Sequence, residues 1–226
     1  MDPRVAILFE DPSLLAVDKP SGLVVIPARD EDPGLSLRHQ LEGSRGERLW
    51  VVHRLDRGTS GVVLFARTAE AHRALCLAFE QHLVRKTYLA YTQGAPSPPE
   101  GDLTVALHTA RRGKMRPALE GEPGALTSRT GYRVQRRWTT PSGVVARIEA
   151  SPLTGRQHQV RVHLRWAGAP ILGDALYGAP DARIGRLALH AARVELPHEG
   201  ATLTLEAPLP ADLVALEAAL GAWDQA

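Results

Sequence analysis

The stretch His53–Gly61, HRLDRGTSG, puts two guanidiniums, an imidazole and one carboxylate into a glycine-bracketed segment between the apolar runs VV (51–52) and VVLF (62–65). A carboxylate presented there can act as a nucleophile or a general base. The same residue, Asp56, can equally shape the turn through an Asx-type hydrogen bond, with Arg57-Gly58 as the turn itself. Arg54 and Asp56 lie two apart, so in extended backbone they share a side. The apolar strands on both flanks would form a rigid platform for a single presented carboxylate. A second polar concentration, GRQHQVRVH (155–163), holds two arginines and two histidines, with no apolar stripe strong enough to make it core. RRGKMR (111–116) and RTGYRVQRR (129–137) add further cations.

The charge is unevenly distributed. The net value is only +2, yet residues 1–50 hold six basic and nine acidic groups, and residues 201–226 hold four acidic and none basic. The 150 residues between them carry 21 basic against 12 acidic groups, a local charge of +9. Arginine supplies 24 of the 27 cations. Guanidinium forks match phosphate oxygens bidentately, so the clusters fit a polyanion such as nucleic acid.

Other chemistries are set aside by what is missing. The single Cys76 excludes an internal disulfide and thiolate zinc, and it suits a reducing, cytoplasmic compartment. There is no HExxH, EF-hand, GxxxxGK[ST], GxGxxG or GxSxG pattern, so neither a metal nor a nucleotide cofactor is expected. With 44% hydrophobic and 23% charged residues this is an ordinary globular composition. No apolar run approaches the roughly 20 residues of a membrane span, and no signal peptide is apparent.

The elements that would position these groups follow from periodicity. AILFE (6–10), LLAVDK (14–19) and LVVI (23–26) read as strands, with KPSG (19–22) as a turn between the last two. Ser36 caps a short helix through Leu41 that EGSRGE ends. GVVLFAR (61–67) is nearly all apolar, as in a strand covered on both faces. Thr68 caps a helix in which Ala71, Ala74, Leu75, Ala78 and Phe79 repeat at helical spacing. TYLAYTQG (87–94) is a strand, PSPPEGD (96–102) a break, and residues 109–128 a basic, mobile surface loop. Strands follow at 130–138 and 143–151. HQVRVHLRWAG (158–168) is a helix stopped by Gly168. RLALHAARVEL (186–196) and ATLTLEA (201–207) are strands, and DLVALEAAL (212–220) is an amphipathic helix. Hairpins with a few helices make the fold class α+β, a mixed, mostly antiparallel sheet with flanking helices.

HRLDRGTSGVVLFA resembles the signature of the RluA-type pseudouridine synthases. VDKPSGLVV (17–25), RKTYLAYTQG (85–94), GRQHQVRVHL (155–164), APILGDALYG (169–178) and RLALHA (186–191) are similar to five further segments of that family, in family order. The resemblance implies that residues 1–226 form a single catalytic domain. The sequence departs from the many relatives that carry an N-terminal S4 domain: only about sixteen residues precede VDKPSG, so no such domain is expected. The implied activity is isomerisation of uridine to pseudouridine in structured RNA. The implied catalytic residues are Asp56, as the catalytic aspartate; Arg161, the arginine paired with it; and Tyr88, the tyrosine on which the target base stacks. Arg54 would enter the RNA stem and hold the base out of its stack, at a cost of a few kcal/mol. His53, Arg57 and Thr59 would support the loop against RNA, and Arg156, His158, Lys114 and Arg116 would line the RNA path. Lys19 and Ser21 would shape the first-motif turn.

The expected partner is an rRNA or tRNA stem-loop, with no cofactor and no membrane, acted on by a cytoplasmic monomer. Two other readings compete. A non-catalytic RNA-binding protein would keep the basic clusters but need not retain HRLD, the K-x-Y tyrosine and GRxHQxR together. A nucleoside glycosidase would need a second catalytic carboxylate beside Asp56.

Overall fold

The computed structural model describes residues 5–27, 32–178 and 181–223. Twelve strands and four helices lie among the described residues. They are β1 (Ala6–Glu10), β2 (Leu14–Lys19), α1 (Leu37–Arg45), β3 (Trp50–Val51), β4 (Ser60–Ala66), α2 (Ala69–Glu80), β5 (Arg85–Gln93), β6 (Glu100–Leu103), β7 (Leu107–Thr109), β8 (Met115–Pro117), β9 (Thr130–Thr140), β10 (Gly143–Pro152), α3 (Gln159–Trp166), β11 (Leu189–His198), β12 (Ala201–Glu206) and α4 (Ala211–Trp223). The chain divides into two compact units, residues 1–85 with 191–208 and residues 86–190 with 209–226. The α+β class with mostly antiparallel strands agrees with the sequence reading.

In the first unit β4 is the central strand. All seven of its residues are buried, as a strand covered on both faces should be. It pairs antiparallel with β2, from Leu14↔Ala66 to Lys19↔Gly61, and with β3. β1 pairs with β2 on one side, while β11 follows β4 on the other and carries β12. Leu14, Val62, Leu64, Val194 and Leu205 form the core here, and α2 closes it through Leu75. The Thr68 hydroxyl accepts the Ala71 N–H, which caps α2 where the sequence reading put it. The helical stripe is shallower than expected, because Ala74 is exposed and only Leu75 is fully buried.

The expected strand LVVI does not form. The carbonyls of Val24 and Val25 instead accept the N–H groups of Leu37 and Arg38, so this segment satisfies the orphan donors at the start of α1 rather than a sheet. That helix also outruns its expected end at Leu41. It stops at Gly46, in the left-handed region, whose N–H donates to Glu42 O. Part of the polar break expected at 28–34 falls outside the described residues.

The second unit is built on the sheet order β5-β10-β9-β6, all antiparallel. Its core joins Tyr91, Trp138, Ile148, Leu164 and Leu189 to the α4 residues Leu213, Leu216 and Leu220. The Tyr91 hydroxyl donates to Glu217 Oε1 at 2.6 Å, and burial with this bond pushes the phenol up, so Tyr91 serves as a structural donor. The expected strands at 130–138 and 143–151 form, and the expected break at 96–102 ends where β6 begins at Glu100.

Residues 109–128 do not form a plain loop. β7 and β8 pair as a small hairpin, Leu107 also bridges Leu126, and Leu107 and Met115 pack on Val162 and Tyr177. Met115 within this polar segment and Leu107 just before it are enough to anchor it, a signal too sparse to register as a period. No helix among the described residues is long and apolar enough to cross a membrane.

Candidate active site

The HRLD loop belongs to the first unit, where backbone hydrogen bonds hold it. The Thr59 N–H donates to Asp56 O at 3.0 Å and closes a turn over Arg57-Gly58. The first motif grips the loop from outside. Gly22 N–H donates to Arg57 O at 2.8 Å, and the Ser21 hydroxyl donates to Gly58 O at 2.8 Å. Lys19 is fully buried, and its ammonium donates to the carbonyls of Pro20, Leu23 and Arg57. Lys19 and Ser21 therefore shape the turn as expected, and they also reach across to the motif loop.

His53 Nε2 lies 3.0 Å from the Leu64 N–H, which it accepts, and its ring stacks on Phe79 with centroids 5.1 Å apart. Thr59 and Ser60 are buried as β4 begins. Gly61 sits at φ +114°, where a Cβ would stand 2.2 Å from the Ala191 carbonyl oxygen, so only glycine fits. On this frame Asp56 is half-buried, while Arg54 and Arg57 are exposed. A buttressed carboxylate that solvent reaches, flanked by two accessible guanidiniums, is available to a polyanionic substrate.

The remaining predicted residues lie in the second unit. Tyr88, on β5 opposite Ala150, is half-buried against the core. Lys86, two residues earlier, has its ammonium pushed down by burial. Arg161 is buried on α3, and the expectation that this segment lacks core character fails. Every residue from Gln159 to Leu164 is buried.

The polar side chains enter the interior because each finds partners. The Gln159 amide donates to Arg129 O and the Thr130 hydroxyl, and its carbonyl accepts from Thr154 and the Arg156 N–H. His163 Nε2 lies 2.9 Å from the Ser128 hydroxyl and 3.1 Å from Val105 O, and burial lowers its pKa so the ring stays neutral.

Arg161 has the most elaborate support. Its Nε and Nη2 donate to the two oxygens of Asp174 at 2.8 and 2.7 Å. Its guanidinium carbon lies 4.9 Å from the Tyr177 ring centroid, within cation–π range. Asp174 is 1% exposed and also accepts the N–H groups of Leu176 and Tyr177. Burial alone would raise its pKa, but Arg161 and the two amides hold it below the usual carboxylate range.

The sequence reading missed Asp174. Its signal was present in ILGD (171–174), but nothing local names the arginine it serves. Tyr177 was missed as well. Its hydroxyl accepts the Met115 N–H at 2.7 Å and lies 2.7 Å from His158 Nδ1, which ties the hairpin to the start of α3.

The outer cations are disposed differently. Arg156 is exposed and donates to Thr127 O. Arg116 makes a bidentate pair with Glu122, which holds that carboxylate down at about 2. Lys114, beside it, has no ion-pair partner among the described residues. One metal-ligand grouping occurs among the described residues, Asp11, His198 and Glu199, with ligand atoms within 4.8 Å of one another. Asp11 there accepts from the N–H groups of Ser13 and Leu14, the Ser13 hydroxyl and the His198 ring, which makes it a clamp on the β1–β2 turn.

The family model for RNA pseudouridylate synthases matches residues 13–166. The ribosomal large subunit pseudouridine synthase D of Nitrosomonas europaea is 38% identical over 93% of this chain, which spans 63% of that relative's length. The dual-specificity RNA pseudouridine synthase RluA of Escherichia coli is 38% identical over 92% of this chain and 94% of its own. Among solved structures, human RNA pseudouridylate synthase domain containing 4 superposes with a TM-score of 0.76 at 27% identity, covering 96% of this chain and 93% of that one. The order of motifs, the fold and these similarities agree: the chain belongs to the RNA pseudouridylate synthase family, as an RluA-type member.

Proposed function

We propose that this chain isomerises specific uridines to pseudouridine in a structured rRNA or tRNA stem-loop, using Asp56 on a flipped-out target base. The observation that carries the proposal is the HRLD loop, in which a half-buried carboxylate is held by a backbone frame two residues from an exposed arginine. In the reaction the N1–C1′ bond breaks, the base turns, C5 bonds to C1′, the C5 proton leaves and N1 gains one. Asp56 is the group that reacts, and Arg54 holds the base out of the stem. Tyr88 supplies the ring on which the base stacks, worth about 1–3 kcal/mol. Arg161, whose orientation Asp174 and Tyr177 support, is the catalytic arginine of the GRxHQxR motif.

His53 and Thr59 hold the loop. Arg57, Arg156, His158, Lys114 and Arg116 meet the RNA, and of these Arg116 must first exchange Glu122 for a phosphate. The motif residues are distributed over both units, Arg54 and Asp56 in the first and Tyr88 and Arg161 in the second. The reading places the protein in the cytoplasm as a monomer.

The test is conversion of tritiated uridine in rRNA and tRNA transcripts. Wild-type protein should form pseudouridine, and Asp56→Asn should form none. RNA affinity of that variant should stay within about tenfold, because the carboxylate is not a phosphate ligand. Turnover retained in Asp56→Asn would remove Asp56 from the chemistry.

A further inference from the structure

A cleft of about 410 Å³ opens in the second unit between β8, the C-terminal half of α3 and the 174–177 loop. Met115, Leu176 and Tyr177 give it apolar and aromatic walls, and Lys114 and Arg165 bring cations to it. No carboxylate among the described residues lines it. Trp166 stands at it 56% exposed, unusual for the largest of the apolar side chains. Arg116 also borders the cleft, but Glu122 neutralises it.

The two remaining cations are not compensated. Arg165 donates to Tyr177 O, and neither it nor Lys114 makes an ion pair among the described residues. An accessible indole beside two uncompensated cations is complementary to one kind of group, a flat π-face joined to a phosphate. The volume falls in the range of single-ligand pockets.

We infer that this cleft is a subsite for one unpaired nucleotide of the RNA, distinct from the uridine that reacts, with its base against Trp166 and its phosphate on Lys114 and Arg165. Tyr177 lines the cleft and also faces Arg161, so the bound nucleotide is a near neighbour of the reacting one. Neither Tyr88 nor Arg161 lines it. The inference rests on the proposed RNA-modifying function and adds a determinant of which stem-loops are chosen.

Labelled total tRNA and a large-subunit rRNA transcript test it by equilibrium binding over a salt series. Trp166→Ala should weaken binding by about tenfold, the loss of one base–aromatic stack. Lys114→Gln with Arg165→Gln should lower the slope of log affinity against log salt by about 0.7, the loss of the one phosphate that the pair holds. Trp166, Arg165 and Lys114 are not fully buried, and circular dichroism checks that the variants fold.

Unchanged affinity and slope in folded variants would overturn the subsite. So would unchanged RNA binding with a shift in sedimentation, which would assign the cleft to a protein contact. A wild-type protein that binds both RNAs yet forms no pseudouridine would overturn the proposed activity, while the Trp166 and salt-slope results would still decide the cleft.

Discussion

The HRLD loop and the α3 segment both carry arginines and an essential-looking polar residue, but they are stabilised in opposite ways. The loop is held by main-chain carbonyls and amides, with Lys19, Ser21 and Gly22 gripping it, and its charged side chains are left reachable. In α3 the charge is inside. Arg161 is buried against an equally buried Asp174, and Gln159 and His163 are each bonded to backbone and hydroxyl groups. The loop's frame grips its main chain, whereas the partner of Arg161 grips its side chain and fixes the orientation of the guanidinium. Each region also has one glycine that nothing can replace: Gly61 in the loop and Gly173 before Asp174, where a Cβ would stand 2.1 Å from Arg186 O.

The contrast can be broken at several points. Gly61→Ala should have the largest effect, because a positive φ and a clash with the Ala191 backbone act together, costing about 5 kcal/mol or more. The expected outcome is no soluble folded protein. A normally folded variant would show that the loop's frame is softer than its contacts suggest.

Asp174→Asn comes next. It leaves the buried Arg161 without a counter-charge, and denaturant titration should show a loss of about 3–5 kcal/mol. The pH dependence has a definite sign. The folded-state pKa of Asp174 is depressed, so its stabilisation is complete above the ordinary carboxylate range and is lost as the pH falls through the folded value. Wild-type stability should therefore decline on acidification more steeply than that of Asp174→Asn, and parallel curves would mean the pair contributes nothing.

Lys19→Met should have a smaller effect, about 1–3 kcal/mol, by removing the buried ammonium's hydrogen bonds to the carbonyls of Pro20, Leu23 and Arg57. Because one of those carbonyls is Arg57 O, pseudouridine formation should fall further than stability does. An equal fall in both would make Lys19 a general core residue rather than a support of the loop.

Glu122→Gln should have the least effect on folding, with Tm nearly unchanged. It releases Arg116, so the salt slope of RNA binding should steepen by about 0.7–0.9. No change in slope would take Arg116 out of the RNA path.

The two regions also differ in how far they could be read from residues alone. β4 announced itself as a continuous apolar run, and α2 by a cap and a period of 3.6, since both signals are local. LVVI failed as a strand because its carbonyls are claimed by α1, a partner that composition cannot reveal. The 109–128 segment failed as a loop because Leu107 and Met115 are too sparse for a pattern, yet they reach Val162 and Tyr177. GRQHQVRVH was misjudged for the same reason. Its polar residues are buried by hydrogen bonds to Ser128, Arg129 and Asp174, which lie 13 to 35 positions away.

By itself, then, the sequence determined the class of fold, the family and the loop that carries Asp56, because motifs, caps and apolar runs are read over a few adjacent residues. Only the tertiary structure decided that Asp174 holds Arg161, that Lys19 reaches the HRLD loop, and that Trp166 shares a cleft with two cations that make no ion pair among the described residues. Those facts depend on long-range pairing, in which the energy of a buried charge is set by whichever group the fold brings to it.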